Sequence, residues 1–368
     1  MPRPRRKQKP LGRIKRIHMI GIGGIGMSSI AEVLISRGFE VSGSDLASTE
    51  TTRRLEKRGA KIFEGHFAEN VIGADVVVYS SAVKVKENPE TQEAIRLRIP
   101  LIGRPEMLGE LMRMKYGIGI AGTHGKTTTT SLTGLVISEG DFDPTIIVGG
   151  KVSVFGSNAV SGEGDIIIIE ADEYDRTFLR LTPIVAVITN IEAEHLDIYA
   201  DLDDIKDAFT QYANKVPFFG RVIACLDDAN VQDILGNIDR PVVTYGTARQ
   251  ANIRADEIRK DGMEQYFGVW HNDTFLGEIN LHVPGIHNVR NALAAIAVGL
   301  EMEMPFESIA SGLDKFTGVQ RRFQLKGVEN DIYVIDDYAH HPTEVKATLK
   351  AANEGWRTKR IVAVFQPH

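Results

Sequence analysis

The chain of 368 residues has a single cysteine, Cys225, so no disulfide can form within it. One cysteine fits a reducing compartment, and its place in the apolar run 222–226 favours a small core residue over a reactive thiol. No apolar run approaches the ~20 residues of a membrane span, and no apolar segment follows the basic N-terminus as in a secretory signal. We therefore expect a cytoplasmic protein.

An excess of positive charge is also absent. The 43 Lys and Arg residues against 49 Asp and Glu residues give a formal net charge of -6, which argues against a general nucleic-acid binder. A local site for an anionic substrate stays open. Basic residues are concentrated at the N-terminus, where we predict a disordered tail over residues 1–15.

Short apolar runs alternate with amphipathic stretches along the chain. Strands are predicted at 17–20, 75–79, 117–121, 165–169, 184–189 and 221–226. Helices are predicted at 28–37 and 127–139. This alternation predicts an α/β fold with parallel sheets covered by helices. Two glycine loops each lie between a strand and a helix, so we predict two nucleotide-binding units.

These patterns also predict how the chain divides. The predicted segments are a first domain over 16–104, a linker over 105–115, a central domain over 116–317 and a third domain over 318–368. The third would hold a strand at 332–335, a helix from Pro342 and a strand at 360–365. Because two strands and one helix are too few for a stable sheet, we expect the chain to end inside this domain.

The first loop, GIGGIG at 21–26, has the G-x-G-x-x-G spacing of a dinucleotide-binding turn. The helix that follows would present free N–H groups to a phosphate. Asp45 ends the next predicted strand, where it can bind a ribose hydroxyl. The pattern fits a nicotinamide oxidoreductase as well as a UDP-sugar site. The predicted substrate-binding residues here are Gly21, Gly23, Gly24, Gly26, Asp45, Ser80 and Ser81.

The second loop, GTHGKTT at 122–128, is a phosphate-binding motif of a variant type, because Ile120 occupies the first glycine position of G-x-x-x-x-G-K-[ST]. Lys126 would reach the β- and γ-phosphates, and the Thr127 hydroxyl would bind Mg²⁺. The predicted ATP-binding residues are Gly122, Thr123, His124, Gly125, Lys126, Thr127 and Thr128.

An acidic segment follows the run of isoleucines at 166–169. Glu170 is the predicted Mg²⁺ ligand, because the carboxyl end of a central parallel strand is where such sheets meet their ligands. Asp172 and Glu173 fit a solvated acidic loop. His195 follows the next strand, and the sequence leaves open whether it binds a second metal ion or is structural.

Together these motifs resemble the Mur ligase family. The resemblance rests on HMIGIGGIGM at 18–27, GTHGKTT at 122–128, EADE at 170–173, NIEAEHLD at 190–197, HNVRNA at 287–292 and DDYAHHPTE at 336–344. It implies three domains: an N-terminal Rossmann-like domain that binds UDP-sugar, a central P-loop ATPase α/β domain and a C-terminal Rossmann-like domain. Family members continue beyond the last residue of this chain.

The resemblance also implies roles for single residues. It implies phosphate and metal roles for Lys126, Thr127, Glu170 and His195. It implies that Asn288 and Asn291 help to hold ATP, although residues 288–299 taken alone indicate a buried, alanine-rich helix.

From the third domain, the resemblance places four residues at the reacting centre: Arg322, Asp337, Tyr338 and His341. His340 and His341 as a metal-binding pair is an alternative interpretation. Pro342 indicates the start of a helix there equally well.

Within the family, the glycine loop, GVQRRF at 318–323 and FQPH at 365–368 are most similar to members that join L-alanine to UDP-N-acetylmuramate. This implies amide-bond formation through an acyl phosphate in peptidoglycan precursor synthesis, with ATP and Mg²⁺. One alternative is a recycling ligase that attaches a tripeptide to the same sugar nucleotide. A nicotinamide oxidoreductase leaves the second loop unexplained, and a non-catalytic binding fragment is the remaining alternative.

Overall fold

The computed structural model describes residues 11–149 and 159–366. Most of the predicted basic tail and the last two residues of the FQPH motif lie outside these ranges. The chain forms two compact units and passes from the first to the second between Lys115 and Tyr116. Among the described residues, no helix combines the length and the apolar character needed to cross a membrane.

The first unit contains a five-stranded parallel sheet with the order β3-β2-β1-β4-β5. Its strands are β1 (Arg16–Ile20), β2 (Glu40–Asp45), β3 (Lys61–Glu64), β4 (Val76–Tyr79) and β5 (Leu101–Gly103). Its helices are α1 (Ile25–Ser36), α2 (Glu50–Lys57), α3 (Pro89–Arg96) and α4 (Arg104–Arg113), with a short 3₁₀ helix at Ala68–Val71. Strand β1 is buried because the sheet has helices on both faces.

Local sequence signals set several helix starts in this unit. Thr49 caps α2 by accepting a hydrogen bond from the Thr52 N–H, and Asn88 caps α3 ahead of Pro89. The range 105–115, predicted as a linker, is mostly helix α4, with Pro105 in its first turn. This helix belongs to the first unit.

The second unit contains a ten-stranded sheet with the order β15-β14-β13-β12-β11-β10-β6-β9-β7-β8. Its strands are β6 (Tyr116–Ala121), β7 (Thr145–Ile147), β8 (Ala159–Val160), β9 (Ile166–Glu170), β10 (Val185–Ile188), β11 (Arg221–Cys225), β12 (Val242–Gly246), β13 (Ile253–Asp261), β14 (Glu264–His271) and β15 (Thr274–Leu281). Strands β6 and β9 to β12 run parallel, and β13 to β15 continue the sheet as an antiparallel meander.

The helices of the second unit include the long α8 and the helix that follows the second glycine loop. They are α5 (Lys126–Ser138), α6 (Leu202–Ala213), α7 (Ala229–Leu235), α8 (Ile286–Glu301), α9 (Phe306–Asp314) and α10 (Pro342–Gly355), with a 3₁₀ turn at Tyr174–Arg180. Helices α5, α8 and α9 pack together over the sheet around one apolar core. Cys225 is buried in this core, as the sequence predicts.

The last part of the second unit is a hairpin, β16 (Gln324–Glu329) with β17 (Ile332–Asp336), followed by α10. The predicted strand at 360–365 is wrong. No strand of the described chain pairs with it, and Val364 is 97% exposed. An apolar run without a hydrogen-bonded neighbour does not form a strand, whatever its composition. The helix predicted from Pro342 is confirmed.

Candidate active site

The loop 122–128 is a tight turn between β6 and α5. Gly122 and Gly125 have φ angles of 143° and 82°, which glycine adopts without strain. A Cβ at Gly122 would overlap the Thr189 hydroxyl, and one at Gly125 would lie 2.7 Å from Asn291 Oδ1. The loop therefore needs glycine for both its shape and its close packing.

The segment after β10 holds this loop in place. The N–H groups of Thr123 and His124 donate to the backbone oxygen and the side-chain oxygen of Asn190, at 3.0 and 2.8 Å. Strand β6 lies between β9 and β10, so the loop, Glu170 and Asn190 meet at one edge of the sheet. The N-terminus of α5 points at this edge and favours a phosphate there.

Lys126 lies inside the turn. Its Nζ donates to the backbone oxygens of Gly122 and Thr123 and to Glu173 Oε1, the last at 2.8 Å. Burial alone lowers the pKa of Lys126, but the charge of Glu173 and of the neighbouring Asp172 outweighs it and raises the pKa above its ordinary value. The amine is therefore held in its charged form.

Thr127 and Glu170 form the second pair at this edge. The Thr127 hydroxyl donates to both carboxylate oxygens of Glu170, at 2.9 and 3.1 Å, and the Gly149 N–H donates to one of them at 2.6 Å. A hydroxyl and a carboxylate that converge beside a phosphate loop are oxygen ligands of the kind Mg²⁺ prefers. The donor set therefore fits this ion.

Glu173 differs from the prediction. The sequence favours a solvated acidic loop at this position. In the structure, however, the Glu173 side chain is only 3% exposed. Burial, the largest influence, raises its pKa although Lys126 acts in the opposite direction. Its backbone oxygen accepts from the Tyr199 hydroxyl at 2.6 Å. The turn at Tyr174–Arg180 follows the acid directly, and no local feature of the sequence indicates that Glu173 is buried.

His195 lies beside the same acid. Its Nε2 is 3.8 Å from Glu173 Oε1, and its ring meets Tyr174 edge-on at 5.1 Å. Glu173, Glu194 and His195 can each offer one ligand atom, and these atoms lie within 4.8 Å of one another. His195 has a left-handed φ of 57°. The geometry is compatible with the predicted second metal ion, which stays a prediction.

A cavity of about 280 Å³ opens next to the loop. Asn288 and Asn291 reach it from α8: the Asn291 amide donates to Asn288 Oδ1 at 3.2 Å, and its oxygen accepts from the Thr129 hydroxyl at 3.1 Å. The lining also includes the following predicted site residues: His124, Gly125, Thr127, Thr128, Arg322 and Asp337.

Helix α10 and the residues on either side of the hairpin line the far wall of the cavity. Arg322 donates to Glu344 at 3.2 Å, and Asp337 accepts from the N–H groups of Phe323 and Ala339. Burial raises the pKa of Asp337, against the effect of these hydrogen bonds. Tyr338 is 40% exposed and lies outside the lining.

The first unit places its own predicted residues at one sheet edge, after β1, β2 and β4. Gly21, with φ 77°, donates to the Ser44 oxygen, and Gly23 donates to Asp45 Oδ2 at 2.8 Å. The Ser80 N–H donates to Ile20, the last residue of β1. Asp45 thus holds the glycine loop directly.

Close approach also explains three of these glycines. A Cβ at Gly21 would lie 3.0 Å from Ser80 Oγ, and one at Gly23 would lie 2.8 Å from the Asp45 carboxylate. At Gly26 it would overlap the Arg104 guanidinium. Gly24 is the residue that precedes α1, and Ser81 follows directly after Ser80.

Comparison with known proteins agrees with this architecture. Three family models match: "Mur ligase family, catalytic domain" over residues 16–116, "Mur ligase middle domain" over 120–299 and "Mur ligase, glutamate ligase domain" over 321–368. A UDP-N-acetylmuramate–L-alanine ligase from Salinibacter ruber is 65% identical over 363 residues, which cover 99% of this chain and 76% of that protein. The chain belongs to the Mur ligase family.

Solved structures of Mur ligases are similar to the chain over most of its length. A UDP-N-acetylmuramate-alanine ligase from Thermotoga maritima has a TM-score of 0.82 at 34% identity and covers 97% of this chain and 81% of that one. A UDP-N-acetylmuramate:L-alanyl-gamma-D-glutamyl-meso-diaminopimelate ligase from Neisseria meningitides has a TM-score of 0.76 at 31% identity. The match covers 84% of this chain and 100% of that one. The predicted fold class and family are confirmed.

Several residues at the Mur ligase site were given no role from sequence. Besides Glu173, these are Asn190, Glu192, Asp227, Arg290 and Glu344. Asp227 lies just after β11, much as Glu170 lies at the end of β9. A carboxylate at the carboxyl end of a parallel strand is a sequence signal for a site residue. Glu344 gave no such signal, because its partners His124 and Arg322 are distant in sequence.

The structure decides between the two interpretations of the histidine pair. His341 caps α10 by accepting from the Thr343 N–H, so Pro342 marks a helix start. In the one group of three candidate metal ligands that contains His341 among the described residues, its companions are His124 and Glu192 rather than His340. His341 lies outside the cavity lining.

Proposed function

We propose that this Mur ligase joins L-alanine to the lactyl carboxylate of UDP-N-acetylmuramate at the expense of ATP. The observation that carries the proposal is the 65% identity to the Salinibacter ruber ligase, over a stretch that contains every predicted site residue. A tripeptide ligase of known structure is less similar, at 31% identity. The chain spans about three quarters of the length of the Salinibacter ruber relative.

In the proposed reaction, a carboxylate oxygen attacks the γ-phosphorus of ATP, and the bond to ADP breaks. The acyl phosphate is then attacked by the neutral amine of L-alanine, phosphate leaves, and the amine proton passes to solvent. Lys126 would move from Glu173 to the β- and γ-phosphates, and the amides of the loop would hold them. The N-terminus of α5 adds its positive end.

We further propose that Thr127 and Glu170 hold Mg²⁺, with His195 at a second ion. Bound there, the metal would neutralise charge on the transferring phosphoryl group. Asn288 and Asn291 would hold ATP from the cavity wall, where both amides are already oriented by hydrogen bonds. Arg322 and His341 would be the catalytic residues contributed by the third domain. Asp337 and Tyr338 would bind the amino acid.

The first unit would bind the UDP-sugar through its glycine loop. The Gly23 N–H is oriented by Asp45, and the N-terminus of α1 follows at Ile25. A reaction that consumes ATP and a nucleotide sugar fits the cytoplasmic location predicted from sequence. The proposed divisions are 16–104 for the sugar nucleotide, 116–317 for ATP and 318–368 for the amino acid.

The test is ADP release by the protein with ATP, Mg²⁺ and UDP-N-acetylmuramate. L-alanine is supplied in one arm and L-alanyl-γ-D-glutamyl-meso-diaminopimelate in the other. We expect release with L-alanine and little with the tripeptide, and none without the sugar nucleotide. Faster release with the tripeptide would establish the recycling activity instead.

A further inference from the structure

Two histidines and a carboxylate from three distant parts of the chain meet beside the phosphate loop. His124 Nε2 lies 3.6 Å from Glu192 Oε2, and His341 Nδ1 lies 3.6 Å from the same oxygen. The two rings have centroids 4.9 Å apart and are tilted by 39° relative to each other. One ligand atom from each residue falls within 4.8 Å of the others.

These spacings match those between ligands around one transition-metal ion. Zn²⁺ binds imidazole nitrogen at about 2.1 Å, so two ligand atoms of a tetrahedral site lie about 3.4 Å apart. The two measured separations are close to this value. Small side-chain rotations would bring the third edge of the triangle to the same length.

The surrounding groups orient the ligands as outer-shell partners do in metal sites. His124 Nδ1 faces Glu344 Oε1 at 3.3 Å, which turns Nε2 toward Glu192. This Nε2 atom is buried and makes no hydrogen bond to any residue that the structure describes. Glu192 accepts from the Thr343 hydroxyl at 2.7 Å. Carboxylate–histidine–metal arrangements of this kind fix ring orientation and tautomer.

The chemistry of the donors selects the ion. Two imidazoles with one carboxylate suit Zn²⁺ and similar transition metals, whereas Mg²⁺ prefers oxygen ligands such as Thr127 and Glu170. The cluster shares no residue with the group formed by Glu173, Glu194 and His195. It is therefore distinct from both metal sites proposed for the reaction, although His124 belongs to the predicted ATP-binding loop and His341 is a predicted catalytic residue.

We propose that His124, Glu192 and His341 form a site for a transition-metal ion of the Zn²⁺ type, with water as the remaining ligand. The ion would join the phosphate loop to the start of α10. Coordination by His341 Nδ1 would replace its hydrogen bond from the Thr343 N–H, which is long at 3.4 Å. A metal that binds only the folded chain would also stabilise it.

The test measures Zn²⁺ binding by competition with a chromophoric chelator, without nucleotide and at mildly alkaline pH. Co²⁺ added to a parallel sample reports geometry through its visible absorption. We expect the wild type to bind Zn²⁺ tightly and to give the intense spectrum of tetrahedral Co²⁺. His341→Asn should lose the site, while asparagine keeps the cap of α10. Glu344→Gln should weaken binding by about 10- to 100-fold.

Two controls make the result specific. His340→Asn changes the neighbouring histidine, which is outside the cluster, and His195→Ala removes the other candidate group. Both should keep wild-type affinity and the tetrahedral spectrum. Unchanged Zn²⁺ affinity in His341→Asn, loss of binding in His195→Ala alone, or a weak octahedral Co²⁺ spectrum would overturn the proposal. None of these readouts depends on ligase activity.

Discussion

The ammonium of Lys126 lies 2.8 Å from a carboxylate oxygen of Glu173, and both side chains are largely buried. The amine also donates to two backbone oxygens of its own loop. Without nucleotide, the charge that would meet the phosphates is thus neutralised by an internal acid. We infer that ATP binding exchanges this carboxylate for phosphate oxygens, which limits the cost of burying a lone charge.

Replacing Lys126 tests its proposed role in phosphate transfer. Lys126→Ala should lower the rate of ADP formation by about 100- to 1,000-fold, because a donor to the developing charge is lost. The matched control is Lys206→Ala, which removes an amine from the surface pair with Asp233 and should keep the wild-type rate. An undiminished rate in Lys126→Ala would refute the phosphate role.

Thr127 tests the proposed Mg²⁺ site. Thr127→Ala removes the hydroxyl that faces Glu170, so the Mg²⁺ concentration for half-maximal ADP formation should rise at least about tenfold. Thr127→Ser keeps the hydroxyl and should behave nearly as the wild type. The measurement is a Mg²⁺ titration at saturating ATP. Equal Mg²⁺ requirements in the alanine and serine variants would contradict the assignment.

Replacing Asp227 tests whether its ion pair with Arg290, just after β11, stabilises the fold. Its side chain is 5% exposed and accepts from the Thr247 and Ala248 N–H groups and from Arg290 Nε at 2.7 Å. Asp227→Asn should lower the free energy of unfolding by about 2 kcal/mol, a figure reduced because Arg290 is partly exposed.

Urea denaturation checks this value, with Asp233→Asn as the surface control. Asp233 is 61% exposed, and its replacement should change the free energy of unfolding by less than about 0.5 kcal/mol. An equal loss of unfolding free energy in the two variants would show that the hydrogen bonds and ion pair of Asp227 do not stabilise the fold.

His287 links stability to pH. Burial, followed by the charges of Arg290 and Arg322, lowers the pKa of His287 from 6.5 to about 4. The unfolded chain therefore takes up this proton at a higher pH than the folded chain. The stability that His287 provides as a neutral residue is present above about pH 6.5 and is lost as the pH falls toward 4.

His287→Gln cannot bind that proton. Between neutral pH and pH 4, its free energy of unfolding should fall by about 3 kcal/mol less than that of the wild type. Urea unfolding at a series of pH values measures the difference, since all other groups titrate in both proteins. Parallel pH profiles would show that the environment of His287 does not disfavour its charge.

The local elements of this protein were predictable because they depend on neighbouring residues. The alternation of apolar runs and helical stretches predicted β1, β4, β6, β9, β10 and β11. The glycine loops lie between β1 and α1 and between β6 and α5, as predicted. Pro342 marked the start of α10. The order of the motifs indicated the family. The predicted parallel sheet placed Thr127 and Glu170 at the same edge, where they form a hydrogen bond.

What the sequence alone could not determine depends on partners far along the chain. Glu173 looked solvated until the following turn placed it on Lys126, and the run 360–365 looked like a strand although the described chain offers it no neighbour. Likewise His124 meets His341 only because α10 packs beside the phosphate loop. Burial, pairing and charge at such positions follow from tertiary packing, which outweighs local preference.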